Sequence, residues 1–127
     1  MMDLATLYNE YKKYLDEYMS YIFELAGKNL DGCTDEAILD KLKAYQIKFE
    51  DIKIKVDVVE VDEENKQNLQ DLKYLTMDVL FASLDLATFY SYKEEERFKM
   101  RAVNFVNKRK RAEIFNESIH STCRVDF

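Results

Sequence analysis

The chain has 127 residues, a net charge of −6, no proline and only two glycines. That length fits one domain, and the scarcity of turn residues excludes a fold of many short strands. Lysine outnumbers arginine, and all five arginines (97, 101, 109, 111 and 124) fall in the last quarter. Residues 1–96 hold 11 basic against 22 acidic side chains, and residues 97–127 hold 8 against 3. Such a split can mark a binding segment.

A first helix is expected from about Asp3 to Ala26. Leu4, Tyr8, Tyr11, Leu15, Tyr18, Ile22 and Leu25 recur at steps of three and four. Leu7, Tyr14 and Tyr21 add a flanking row, and Gly27 supplies a stop. The tyrosines Tyr11, Tyr14, Tyr18 and Tyr21 are candidates for a partner-binding face. The same spacing also describes a bundle core with hydroxyls reaching the rim.

Residues 28–34 read as a loop, with Thr34 as helix cap. The second helix runs from about Asp35 to Glu60 through Ile38, Leu42, Tyr45, Phe49, Ile52, Val56 and Val59. Residues 52–58 also alternate with period two and are β-branched, so strand competes with helix there. Asp62 is the expected cap of the third helix.

Residues 69–92 form the most apolar stretch. Leu72, Leu75, Val79, Ala82, Leu86 and Phe89 make one helical stripe, Leu69, Leu80, Leu84 and Ala87 a second, and Tyr74, Phe81 and Tyr92 a third. A helix apolar on nearly every side needs neighbours around it. It is too short and too charged for a membrane, because Asp78 and Asp85 would each cost ~2.5–3.5 kcal/mol at mid-bilayer. Asp71, Asp78 and Asp85 recur every seven residues and line one side. Neighbours along that line are about 10.5 Å apart at ~1.5 Å rise per residue, too far to share a proton or a metal ion. They are candidates for partner binding or for ion pairs with another helix.

The residues from Ser91 to Glu94 have the form of a capping box, which places the start of a fourth helix at Ser91. Phe98, Ala102, Phe105 and Val106 give that helix its apolar face. Beyond Ala112 the face breaks, so a kink or a separate short helix is expected, then a frayed tail over 121–127. Residues 108–111 read Lys-Arg-Lys-Arg but wrap the helix at ~100° per residue. The coherent basic stripe is Arg97, Arg101, Lys108 and Arg111, a candidate phosphate-binding surface. If helices three and four form an antiparallel hairpin, residue numbers at equal height sum to about 184. Asp85 then meets Arg97 or Arg101, Asp78 meets Lys108, and Asp71 meets Arg111.

Glu117 and His120 have the Glu-x-x-His spacing of carboxylate-bridged metal bundles, but only one copy is present. A metal-dependent enzyme would need a second copy from a dimer. Cys33 and Cys123 have no metal or redox spacing, and no cofactor motif is found. Reduced thiols and the lack of a signal-peptide pattern at the start point to a cytoplasmic setting.

The expectation is a single all-α domain, 1–127, folded as an antiparallel four-helix bundle around the central helix 69–92, as a monomer or a homodimer. Its expected function is non-enzymatic: binding another protein through a helical face, as small acidic chaperones, inhibitors and immunity-type regulators do. A nucleic-acid-associated regulator using residues 97–111 is the alternative, and the metal-dependent enzyme is third.

Overall fold

The computed structural model describes the backbone of residues 3–123 and the side chains of residues 3–112. Four helices, α1 (Leu4–Ala26), α2 (Glu36–Val58), α3 (Lys66–Ser91) and α4 (Glu95–Cys123), form an all-α four-helix bundle. Each helix packs on its neighbours in the chain, α4 closes the ring on α1, and the diagonal α1–α3 contact is small. Pairing of Asp85 with Arg101 and of Asp78 with Lys108 fixes α3 and α4 as antiparallel.

Local chemistry starts each helix. The Asp3 carboxylate accepts from the Thr6 amide at 2.8 Å and caps α1. Asp35, not Thr34, caps α2 by accepting from the Ala37 amide at 2.9 Å. The Thr34 hydroxyl is engaged elsewhere, donating to the Asp31 carbonyl. Asp62 caps a short 3₁₀ turn, Glu63–Asn65, that leads into α3.

The competition between helix and strand in α2 is settled by burial. Ile52 and Val56 are buried while Ile54 and Val58 are exposed. The inward period is therefore four, as a helix requires, and not two.

Ser91 does not open α4; it is the last residue of α3. Lys93 takes a left-handed φ of 60°, and the Glu94 amide donates to the Phe89 carbonyl at 2.8 Å. This 6→1 bond closes the orphan carbonyls of α3, so the turn is a C-terminal cap of one helix before it is the start of the next. The separate short helix expected beyond Ala112 is not seen, because α4 continues to Cys123. Residues 124–127 of the expected frayed tail lie outside the described residues.

The core holds Tyr11, Tyr18, Phe49, Tyr90, Phe98 and Phe105 among aliphatic side chains. Thr76 and Ser83 are also buried, and their hydroxyls donate to carbonyls of α3 itself, Lys73 and Leu80. That bonding lets small polar residues sit in an apolar interior without an unmet donor.

The α1–α2 loop docks on the α3–α4 turn. Asp31, Gly32 and Cys33 all have left-handed φ, at 52°, 72° and 65°. Only Gly takes that region freely. The Glu95 carboxylate holds the loop by accepting from the Leu30 and Gly32 amides at 3.0 and 2.9 Å. The Tyr90 hydroxyl accepts from the Asp35 amide at 3.0 Å. These amide contacts hold the Glu95 carboxyl below the usual carboxylate range.

Candidate functional site

The acidic line of α3 and the basic stripe of α4 meet at two of three expected heights. Arg101 Nε lies 2.9 Å from Asp85 Oδ2, and Lys108 Nζ lies 3.1 Å from Asp78 Oδ1. Lys108 also donates to the Tyr74 hydroxyl at 3.3 Å. The bond to Asp78 raises the Lys108 ammonium pKa above its ordinary value. The third rung does not form among the described residues. Asp71 accepts from Gln67 on its own helix at 2.9 Å, and Arg111 is exposed. Arg97 pairs with Glu94 at 3.0 Å and lies over the Phe89 ring.

Asp78 has a second cation that the basic stripe left out. Arg109 is only 6% exposed, with Nε 3.4 Å from Asp78 Oδ2. Neither of those two atoms has a hydrogen-bond partner, so this is a charge contact without bond alignment. Tyr11 lies near Arg109, whose charge favours the phenolate, but burial wins and raises the phenol pKa.

The tyrosine face of α1 is largely used inside the bundle. Tyr11 and Tyr18 are core residues, and Tyr18 packs on Tyr45 and Phe49 with ring centroids 5.1 and 5.3 Å away. Tyr14 and Tyr21 are half-buried under lysines of α2, Lys48 over Tyr14 and Lys41 over Tyr21. Burial and its aromatic neighbours raise the Tyr21 phenol to about 12.

The other apolar side of α3 is left open. Tyr74, Met77, Phe81 and Leu84 step 3, 4, 3 along the helix and all face solvent, with Tyr74 at 55% and Phe81 at 54% exposure. They lie opposite the buried row Leu72, Val79, Leu86 and Tyr90. The three apolar stripes already marked this helix. What composition could not say is that one side would lack a neighbour.

No family model, curated protein or solved structure matches this chain. Its candidate sites therefore rest on geometry. Among the described residues, no group of three His, Cys, Asp or Glu side chains is placed to hold a metal ion. Glu117 and His120 lie outside the described side chains. No helix of the described residues is long and apolar enough to cross a membrane.

Two hollows lie between α1 and α3. One, of about 520 Å³, lies between the starts of α1 and α3 and is walled by Leu4, Tyr8, Asn68, Asp71, Leu72 and Leu75. The other, of about 80 Å³, lies between Tyr8, Tyr11, Lys12 and Leu15 of α1, Leu75 of α3, and Arg109 and Ala112 of α4.

Proposed function

We propose that this chain is a non-enzymatic binding module that docks a helix of another protein on the open stripe of α3. The observation that carries this reading is the exposure of Tyr74, Met77, Phe81 and Leu84 at helical spacing. Four large apolar side chains in a row are more than the scattered surface hydrophobes of an ordinary monomer. A straight 3, 4, 3 stripe is the shape that receives the apolar face of an amphipathic helix. The stripe carries no charge of its own, and Asp78 and Asp85 beside it are neutralised by α4. Chaperones, inhibitors and immunity-type regulators use such surfaces.

The basic stripe supports the nucleic-acid alternative less well. Arg97, Arg101 and Lys108 are each engaged by a carboxylate, which lowers their capacity to displace counterions from phosphates.

The test compares wild type with Phe81→Lys and Arg101→Gln as tagged baits in host lysate, at about 0.15 and about 0.5 M salt, a range over which phosphate binding weakens sharply. One stoichiometric protein should be held by wild type and Arg101→Gln at both salts and lost with Phe81→Lys. Capture that ignores Phe81→Lys, or nucleic acid released by salt and by Arg101→Gln, would overturn the proposal. Light scattering of the isolated chain separates a second copy on the same stripe from a different partner.

A further inference from the structure

We infer that, when no other protein occupies it, the open stripe of α3 is covered by the same stripe of a second copy of this chain. The two α3 helices lie antiparallel about residue 79. The inference rests on the docking reading only in using the same surface, and it makes self-association the competitor that a partner has to displace.

The stripe is complementary to its own reverse. Tyr74, Met77, Phe81 and Leu84 alternate a flat ring with a slender aliphatic chain along α3. When two such helices lie antiparallel about residue 79, residue numbers at equal height sum to 158. Tyr74 then meets Leu84 of the second copy, and Met77 meets Phe81 of the second copy. Every layer pairs one ring with one slender chain, so the layers share one width, and Met77 gains a sulfur–ring contact. Parallel pairing would set each side chain on its own kind, ring on ring and thioether on thioether. Layers of unequal width pack less closely.

Charge beside the stripe agrees with that register. By helical spacing Asp71, Asp78 and Asp85 share the edge of the stripe next to α4. Antiparallel packing sets this edge against its own copy, with Asp85 beside Asp71 of the second copy. Two carboxylates alone would repel, but a base stands with them. Arg101 holds Asp85 through Nε at 2.9 Å, and among the described residues no carboxylate pairs with its two terminal nitrogens. Asp71 accepts from Gln67 through Oδ1 and has no base among the described residues. The half-used guanidinium and the carboxylate without a base therefore meet, once on each side of the twofold axis. At the axis itself each Asp78 is mostly buried and already shared by Lys108 and Arg109.

Area sets the strength. Tyr74 and Phe81 are a little over half exposed, Met77 and Leu84 a little over a third. At about 200 Å² for a whole aromatic side chain, the stripe offers roughly 350 Å² per copy, about 700 Å² for the pair. A stable interface buries about 1,200 Å² or more. The dimer is therefore weak and concentration-dependent, and it yields to a partner that covers more of α3.

The experiment is sedimentation of the full chain from about 1 μM to about 1 mM, the range of weak association. Wild type should pass from monomer to dimer across it, and Phe81→Lys should stay monomeric. Asp71→Lys keeps the whole stripe but meets Arg101 of the second copy with a like charge. It should weaken the dimer at least about tenfold and leave partner capture from lysate at the wild-type level. Both positions are exposed, so the helical circular-dichroism spectrum should be kept. For the register, Met77→Cys and Phe81→Cys, each carrying Cys123→Ser, are mixed and oxidised. The disulfide between positions 77 and 81 should exceed either homodisulfide. A wild type that stays monomeric throughout overturns the inference and leaves the docking reading standing. A dimer that ignores Phe81→Lys lies on another surface and also overturns it, and homodisulfides in place of the mixed one overturn the antiparallel register. A dimer lost with Phe81→Lys, beside partner capture that ignores the same variant, would support self-association and sink the docking reading alone.

Discussion

Asp78 and Asp85 sit one heptad apart on the same line of α3, each facing a base on α4, yet removing their charges should have very different effects. The Asp78 side chain is 16% exposed and serves two cations, one of them the buried Arg109; the Asp85 side chain is 50% exposed and, among the described residues, serves Arg101 alone. Asp78→Asn leaves a guanidinium in the interior without its counter-charge, which for a buried pair costs about 3–5 kcal/mol. The 3.4 Å contact lacks bond alignment, so the low end, about 3 kcal/mol, is expected. Asp85→Asn breaks a pair open to water and should cost under about 1 kcal/mol. Urea unfolding keeps charges unscreened and has a slope of about 2 kcal/mol/M for a chain of this size. The midpoint should then fall by about 1.5 M for Asp78→Asn and by less than about 0.5 M for Asp85→Asn. Adding Arg109→Met to Asp78→Asn should recover most of the loss, because the stranded charge is gone. Equal midpoint shifts for the two single variants would refute the claim that burial, and not pairing itself, sets the cost.

Two further outcomes follow from the fold. The Glu95 carboxyl titrates below its ordinary value of 4.5 because it accepts the Leu30 and Gly32 amides. A depressed folded-state value contributes stability that is present above about pH 4.5 and lost as pH falls through the folded value. Urea midpoints of wild type and Glu95→Gln should therefore differ at pH 7 and converge towards pH 3. A constant difference across that range would remove Glu95 as the anchor of the loop. In α2, Phe49→Ala should cost about 3–5 kcal/mol by opening a core cavity, while Ile54→Lys should stay within about 0.5 kcal/mol, as exposed positions do. A large loss at Ile54 would restore the strand-like reading of residues 52–58.

Much of the bundle could be read from spacing alone. The α3–α4 register sum expected near 184 is met at 186 by Asp85 with Arg101 and by Asp78 with Lys108. An axial register cannot foresee a competitor on the same helix, however, and Gln67 takes Asp71 from four residues away. Arg109 was legible but passed over. It stands four residues after Phe105 and seven after Ala102, so it continues the apolar face of α4, and one member of a wrapping basic run has to point inward. The open stripe of α3 was harder. A bundle of four helices covers each helix from two neighbours and the core, and leaves its outer side in water. Hydrophobicity marks Tyr74 and Phe81 as costly to expose but does not say who covers them. The Ser91 capping box failed because a serine followed by a glutamate suits a helix start only if the preceding helix has already ended. Here α3 runs through Ser91, and Lys93, inside the box itself, is the left-handed residue that closes it.

The clasp of Glu95 on the loop makes the two ends of the bundle unequal. Its hydrogen bonds join residues 63 and 65 positions apart, so neither helical hairpin can satisfy the Leu30 and Gly32 amides alone. At that end, opening either hairpin strands polar groups of the other, and the two halves of the chain must part together. The opposite end, where α1 and α3 begin, is held at its starts by the local caps Asp3 and Asp62, each reaching only three residues. Opening is therefore cooperative where the hairpins are pinned. In hydrogen-exchange terms, the amides of Leu30 and Gly32 should report the parting of both halves at once.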